Sequence, residues 1–152
     1  MNVARVSRTA RPEGAPYAWI PYRAGRERVF DNELDACLQE RCPTQVEYDG
    51  AWGDIEALID LAERGRLHLP YASDATPVRL DPDLWEIRWS RPRSEDRLRI
   101  YHGEPAAHPE MIVGLKAHWK WWAERSTAAE VDSAQDAQMR EAADRFTRGG
   151  YR

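Results

Sequence analysis

Hydrophobic positions along this chain change period, and each change marks an element. Tyr17 to Tyr22 reads as a short first strand, with Pro21 placing it at a sheet edge. Asp31 or Asn32 then caps a helix over Glu33–Arg41, where Leu34, Cys37 and Leu38 share one face and Pro43 ends the run. Thr44 to Gly50 carries no pattern that decides it. From Asp54 to Arg64 the helical spacing is clearer: Ile55, Leu58, Ile59 and Ala62 form a stripe, and Gly65 supplies the stop. Leu67 to Pro82 reads as a loop holding an extended piece at Pro77–Leu80.

Alternation returns in three close segments, Leu84–Ser90, Arg97–His102 and Met111–Trp119. The links between them are short and polar, which suits hairpins and an antiparallel meander. The tail from Thr127 to Arg148 is rich in Ala, Glu, Gln and Arg and predicts a helix closed by Gly149-Gly150. Its stripe of Val131, Ala134, Met139, Ala142 and Phe146 is thin. The expected class is therefore α+β: N-terminal helices packed on a small antiparallel sheet, with a C-terminal helix. Residues 15–152 form one domain, and 1–14 a flexible polar arm.

Strand alternation sorts the meander into two faces. Trp85, Ile87, Trp89, Leu98, Ile100, Val113, Leu115, Ala117 and Trp119 fall on a core face. Glu86, Arg88, Arg97, Arg99, Tyr101, Lys116, His118 and Lys120 fall on the other. A sheet face exposed to solvent usually mixes signs, and like charges set across strands repel. Here Glu86 is the single acid among the cations, which points to an anion as ligand.

An RNA phosphodiester suits these residue types. Cleavage by its own 2′-hydroxyl needs a base, an acid and cations for the charged transition state. Arg88, Arg97 and Arg99 supply forked donors, His118 is the natural proton carrier, and Tyr101 stacks on a base or moves a proton. Lys116 and Lys120 hold neighbouring phosphates. The run Lys116-Ala-His-Trp-Lys-Trp-Trp122 interleaves bases with aromatics, so Trp121 and Trp122 either stack on RNA or tuck under the last helix.

Bulk composition narrows the field further. At 152 residues the chain is long enough for one core, and no apolar run reaches the roughly 18 residues of a membrane span. The first fourteen residues lack the apolar stretch of a secretory signal, so a cytoplasmic protein is expected. Net charge is −4, which limits any nucleic-acid contact to a local patch. Cys37 and Cys42 have no second Cys/His pair at metal-ligand spacing, and the glycines form no phosphate loop. No cofactor or metal is expected.

The run Leu84-Trp-Glu-Ile-Arg88, then Arg97-Leu-Arg-Ile-Tyr-His-Gly-Glu104, then Ile112-Val-Gly-Leu-Lys116 leading to Lys120, resembles the phage-derived, HigB-like branch of the RelE/ParE toxin superfamily. Leu61-Ala-Glu-Arg-Gly65 and Ala142-Ala-Asp-Arg-Phe146 fit the same pattern, so the resemblance spans Asp54 to Arg148. It implies the toxin of a type II toxin-antitoxin system, a ribosome-dependent endoribonuclease cutting mRNA and neutralised by an antitoxin. On that pattern Arg88, Arg97 or Arg99, and Lys120 match the family's basic positions. The chain departs from it in being acidic and in following Lys120 with Trp121 and Trp122, where relatives carry paired lysines. The alternative expectation is a non-catalytic binding protein on the same fold, either a gyrase inhibitor or a phage accessory protein.

Overall fold

The computed structural model describes residues 6–67, 76–78, 80–120 and 127–152. After two short 3-10 turns, the elements run β1 (Ala18–Pro21), α1 (Val29–Arg41), α2 (Gln45–Glu63), β2 (Thr76–Val78), β3 (Asp81–Ser90), β4 (Arg97–Gly103), β5 (Met111–Trp119) and α3 (Ala128–Arg148). The architecture is α+β, as the pattern predicts. The sheet order is β1-β5-β4-β3-β2, antiparallel except that β1 runs parallel to β5. Pro21 lies on an edge strand, where its missing N–H costs no ladder bond.

Both N-terminal helices begin earlier than their stripes suggest. Helix α1 starts at Val29 without a side-chain cap, because Phe30 in its first turn is 1% exposed and belongs to the core. Helix α2 absorbs the undecided stretch after Thr44. That residue and Glu47 form a reciprocal capping box, and Ala51 adds a turn of buried face. Gly65 ends the helix in the left-handed region at φ 66°. Helix α3 begins with a second capping box, Thr127 with Glu130.

Phe30, Leu34 and Leu38 of α1 and Ile55, Leu58 and Ala62 of α2 join Trp85, Ile87, Trp89, Leu98, Ile100, Ala117 and Trp119 in one core. Burial at roughly 25 cal/mol per Å2 makes this apolar layer the main stabilising element. Two indoles carry their polar edges to partners: Trp119 Nε1 donates to the Cys37 carbonyl at 2.7 Å and Trp89 Nε1 to Asp54 at 3.3 Å.

A β-bulge between Tyr101 and His102 corrects the expected faces of β5. Ile100 still pairs with Ala117 and Tyr101 with Lys116, but His102 pairs with Gly114 and Gly103 with Val113. One extra residue reverses the alternation, so Val113 belongs with the opposite face from Ala117. The reversal also brings Gly114 under the Trp19 ring and Gly103 under Phe146 of α3, and a side chain at either glycine would collide with that ring.

Within the arm expected to be flexible over 1–14, residues 7–9 are packed against the sheet. Ser7, Arg8 and Thr9 are buried, and Ser7 Oγ donates to Glu104 at 2.6 Å. The Arg8 guanidinium donates to the carbonyls of Pro105, His108 and Met111. Polar residues were read as solvated, but here they satisfy the buried Glu104 carboxylate and the β4–β5 loop. Burial would raise the Glu104 carboxyl, yet the hydrogen bond and charge of His102, then the bonds from Ser7 and the Arg8 N–H, hold it below the usual carboxylate range.

Candidate phosphodiester site

The register assembles the charged face in rows. Arg88 lies opposite Arg99, which lies opposite His118; Glu86 lies opposite Tyr101, which lies opposite Lys116. Lys120 follows β5, its N–H donating to the Arg97 carbonyl at 2.7 Å. The structure therefore gathers Arg88, Arg97, Arg99, Tyr101, Lys116, His118 and Lys120 on one surface. Trp121 and Trp122 lie outside the described residues.

The gathered groups are not equivalent, because α3 covers part of the face. Arg99 is buried and ion-paired to Glu86, whose Oε1 also accepts from Arg88 Nε at 2.8 Å. One buried carboxylate thus organises two arginines and offsets the repulsion between them. Arg88 remains 37% exposed on its side chain, and Arg97 is exposed.

Three expected roles change on this geometry. Tyr101 is 0% exposed, so it cannot stack on a base; burial and then the Glu86 charge push its hydroxyl above the usual phenol range. His118 lies against it, with ring centroids 5.4 Å apart and Nε2 3.1 Å from the Tyr101 hydroxyl. Its Nδ1 is 2.9 Å from the Trp119 carbonyl, which can only accept, so Nδ1 donates and Nε2 accepts from Tyr101. Burial, with Arg99 and Lys116 adding to it, lowers the imidazole to about 4. A ring with both nitrogens engaged has no lone pair free to act as a base. Lys116 is the third correction: its Nζ is paired with Glu33 of α1 at 2.9 Å and is only 12% exposed.

Glu33 completes the hydrogen bonding of β5 past Gly114, where β1 no longer pairs with it. It accepts from Ala117 N at 2.8 Å and from Nη1 and Nη2 of Arg145, while Arg145 Nη1 also donates to the Leu115 carbonyl at 2.8 Å. Burial would raise this carboxyl, yet the bonds from Arg145, Ala117 and Lys116 hold it below its usual value.

Lys120 stands differently. Burial, then the charges of Arg99, Arg97 and Arg88, lower its amine below the usual lysine range. It borders two adjoining clefts. One, of about 360 Å3, lies between α1 and α3 and is lined by Cys37, Arg41, Arg99, His118, Trp119 and Gln138 among others. The second, of about 460 Å3, is lined by Arg41, Glu95, Asp96, Arg97 and Lys120. Among the described residues no group of His, Cys, Asp and Glu could hold a metal ion, and no helix is long and apolar enough to cross a membrane.

Sequence reasoning passed over Glu86 as an organiser, Arg41 as a lining cation, and Gln135 and Gln138 of α3. The glutamines carried a signal: both fall on the stripe running from Val131 through Ala134 to Met139, where a polar side chain is out of place. Comparison with protein-family models, with curated proteins and with solved structures finds no match.

Proposed function

We propose that this protein is an endoribonuclease of the RelE/ParE toxin kind, cutting mRNA on cytoplasmic ribosomes by attack of the 2′-hydroxyl, with an antitoxin as its partner. The observation that carries the reading is the pair Arg88 and Arg99 on one buried Glu86, with Arg97 and Lys120 beside them on the same face. Arg88 and Arg97, the exposed members, hold the phosphate. Arg99 stabilises the charge that develops on its oxygens. Lys120, the amine with the lowered proton affinity, takes the 2′-hydroxyl proton. The hydroxyl oxygen then bonds to phosphorus, the bond to the 5′-oxygen breaks, and that oxygen takes a proton from water. These steps need no metal. His118 and Tyr101 form the floor that supports Arg99, rather than the proton carriers.

A second reading is a non-catalytic binding protein on the same fold, a gyrase inhibitor or phage accessory protein. The sealed His118–Tyr101 pair favours it, since both nitrogens of His118 are engaged. Mapping of 5′ ends on a reporter mRNA in a purified bacterial translation system separates the two. The enzyme reading expects ribosome-dependent cuts within translated codons, abolished in Arg88→Ala/Lys120→Met. Intact mRNA with normal translation would overturn it and turn attention to gyrase.

A further inference from the structure

The segment ahead of β1 is held by polar groups. Ser7 Oγ donates to Glu104 at 2.6 Å, and the Arg8 N–H donates to both carboxylate oxygens, at 2.9 and 3.0 Å. His102 Nε2 stands 3.3 Å from the oxygen that accepts from Ser7. The Arg8 guanidinium fills a cradle of three carbonyls from Pro105, His108 and Met111. On its other side, the Thr9 carbonyl accepts from Leu67 N at 2.7 Å and the Arg11 carbonyl from the Tyr17 hydroxyl. Residues 7–11 therefore staple the exit of α2 to the loop between β4 and β5.

Such a staple opens differently from the core. No residue of 7–11 joins the hydrophobic core, and Val6 before it is exposed. Lifting the segment bares little apolar area, so what resists is its hydrogen bonds, each modest once water replaces the partner. The Ala10 and Arg11 N–H groups bond to the Ser7 and Arg8 carbonyls, which closes the segment into one turn that moves as a unit. Its bonds converge on one group. Glu104 accepts from both Ser7 and Arg8, and a neutral side chain there would leave their donors against a weaker acceptor. Segments with few buried apolar contacts are the ones that open below the free energy of global unfolding.

We infer that residues 7–11 form a releasable latch locked by Glu104. The latch detaches as a unit while β3, β4 and β5 stay folded, and it uncovers the Leu67 N–H and the carbonyls of the β4–β5 loop together. This stands apart from the phosphodiester reading, because the latch lies at the Gly103 end of β4 and the proposed phosphate contacts gather toward Arg97. Amide hydrogen exchange on the full chain, followed by NMR across low denaturant concentrations, tests it. The Arg8 and Leu67 N–H groups bond across the latch and should exchange together, about a hundredfold or more faster than Ile100 of β4 after correction for intrinsic rates. Their rates should depend little on denaturant, the mark of an opening that exposes little surface. Glu104→Gln keeps the side-chain shape and removes the charge. It should speed Leu67 exchange about tenfold, the worth of a hydrogen bond to a charged group. Arg8→Met empties the carbonyl cradle and should also speed it.

Exchange of Arg8 and Leu67 at the rate and denaturant slope of Ile100 would overturn the latch, since the segment would then leave only with the whole fold. Fast Leu67 beside a protected Arg8 would overturn it as well, because the two attachments would be opening separately. A Glu104→Gln variant whose Leu67 exchanges as in wild type would remove the carboxylate as the lock. The wild-type comparison decides the latch even where a variant fails to fold.

Discussion

The two faces of this sheet are built on opposite principles. Beneath α1 and α2 lie Trp85, Ile87, Trp89, Leu98 and Ile100, a dry layer held by area removed from water. Beneath α3 lie Glu86, Arg99, Tyr101 and His118, polar groups nearly as buried but held by partners. A dry face tolerates imperfect fit at modest cost, whereas a polar face fails when one partner is removed. The contrast teaches where a single substitution should hurt most: on the α3 side, where the Arg99 charge depends on Glu86 and the His118 ring on Tyr101.

The largest effect should come from breaking the polar face at its centre. Glu86→Gln leaves Arg99 buried without a countercharge and should cost about 3–5 kcal/mol in chemical denaturation. On the dry face, Ile100→Ala should cost about 3 kcal/mol by the same measurement, with no change in RNA affinity at doses that keep it folded. If Glu86→Gln proved the milder of the two, the contrast would be wrong.

Acid titration sharpens the comparison further. His118 is lowered in the fold, from an ordinary 6.5 to about 4, so the unfolded chain binds more protons between those values. Stability should therefore fall as pH drops from about 6.5 toward 4, by at most roughly 3 kcal/mol. His118→Gln should remove that component. Glu33 and Glu104 are also lowered, so their contribution disappears at still lower pH, as they protonate. The smallest effect belongs to Lys116→Met. It should cost about 1 kcal/mol and leave the salt dependence of RNA binding unchanged, because Glu33 and not phosphate is its partner.

Alternation and helical spacing sufficed for the α+β class, for the meander, and for which residues share the charged face. The ends of β5 and α3 agree with the residues named from pattern alone. What the pattern could not carry was depth. Nothing in the spacing of Tyr101 and His118 says that α3 lies over them, since that depends on Phe146 docking at Gly103 and on Arg145 reaching Glu33. The bulge at Tyr101/His102 is equally invisible in period, because one inserted residue leaves both flanking stretches alternating. Folding of Ser7–Thr9 onto Glu104 was hidden for a similar reason: its partners lie almost a hundred residues away. The Thr44–Glu47 capping box, by contrast, was readable and was passed over.

The central claim is that Arg88 and Arg97 hold phosphates on the outer part of the charged face. Affinity for a short single-stranded RNA, measured across a range of salt for wild type and for Arg88→Ala/Arg97→Ala, tests it most directly. The account predicts that the slope of log affinity against log salt becomes shallower by about 1.4 in the double variant, the value for two lost contacts. A variant whose slope equals that of wild type would contradict it.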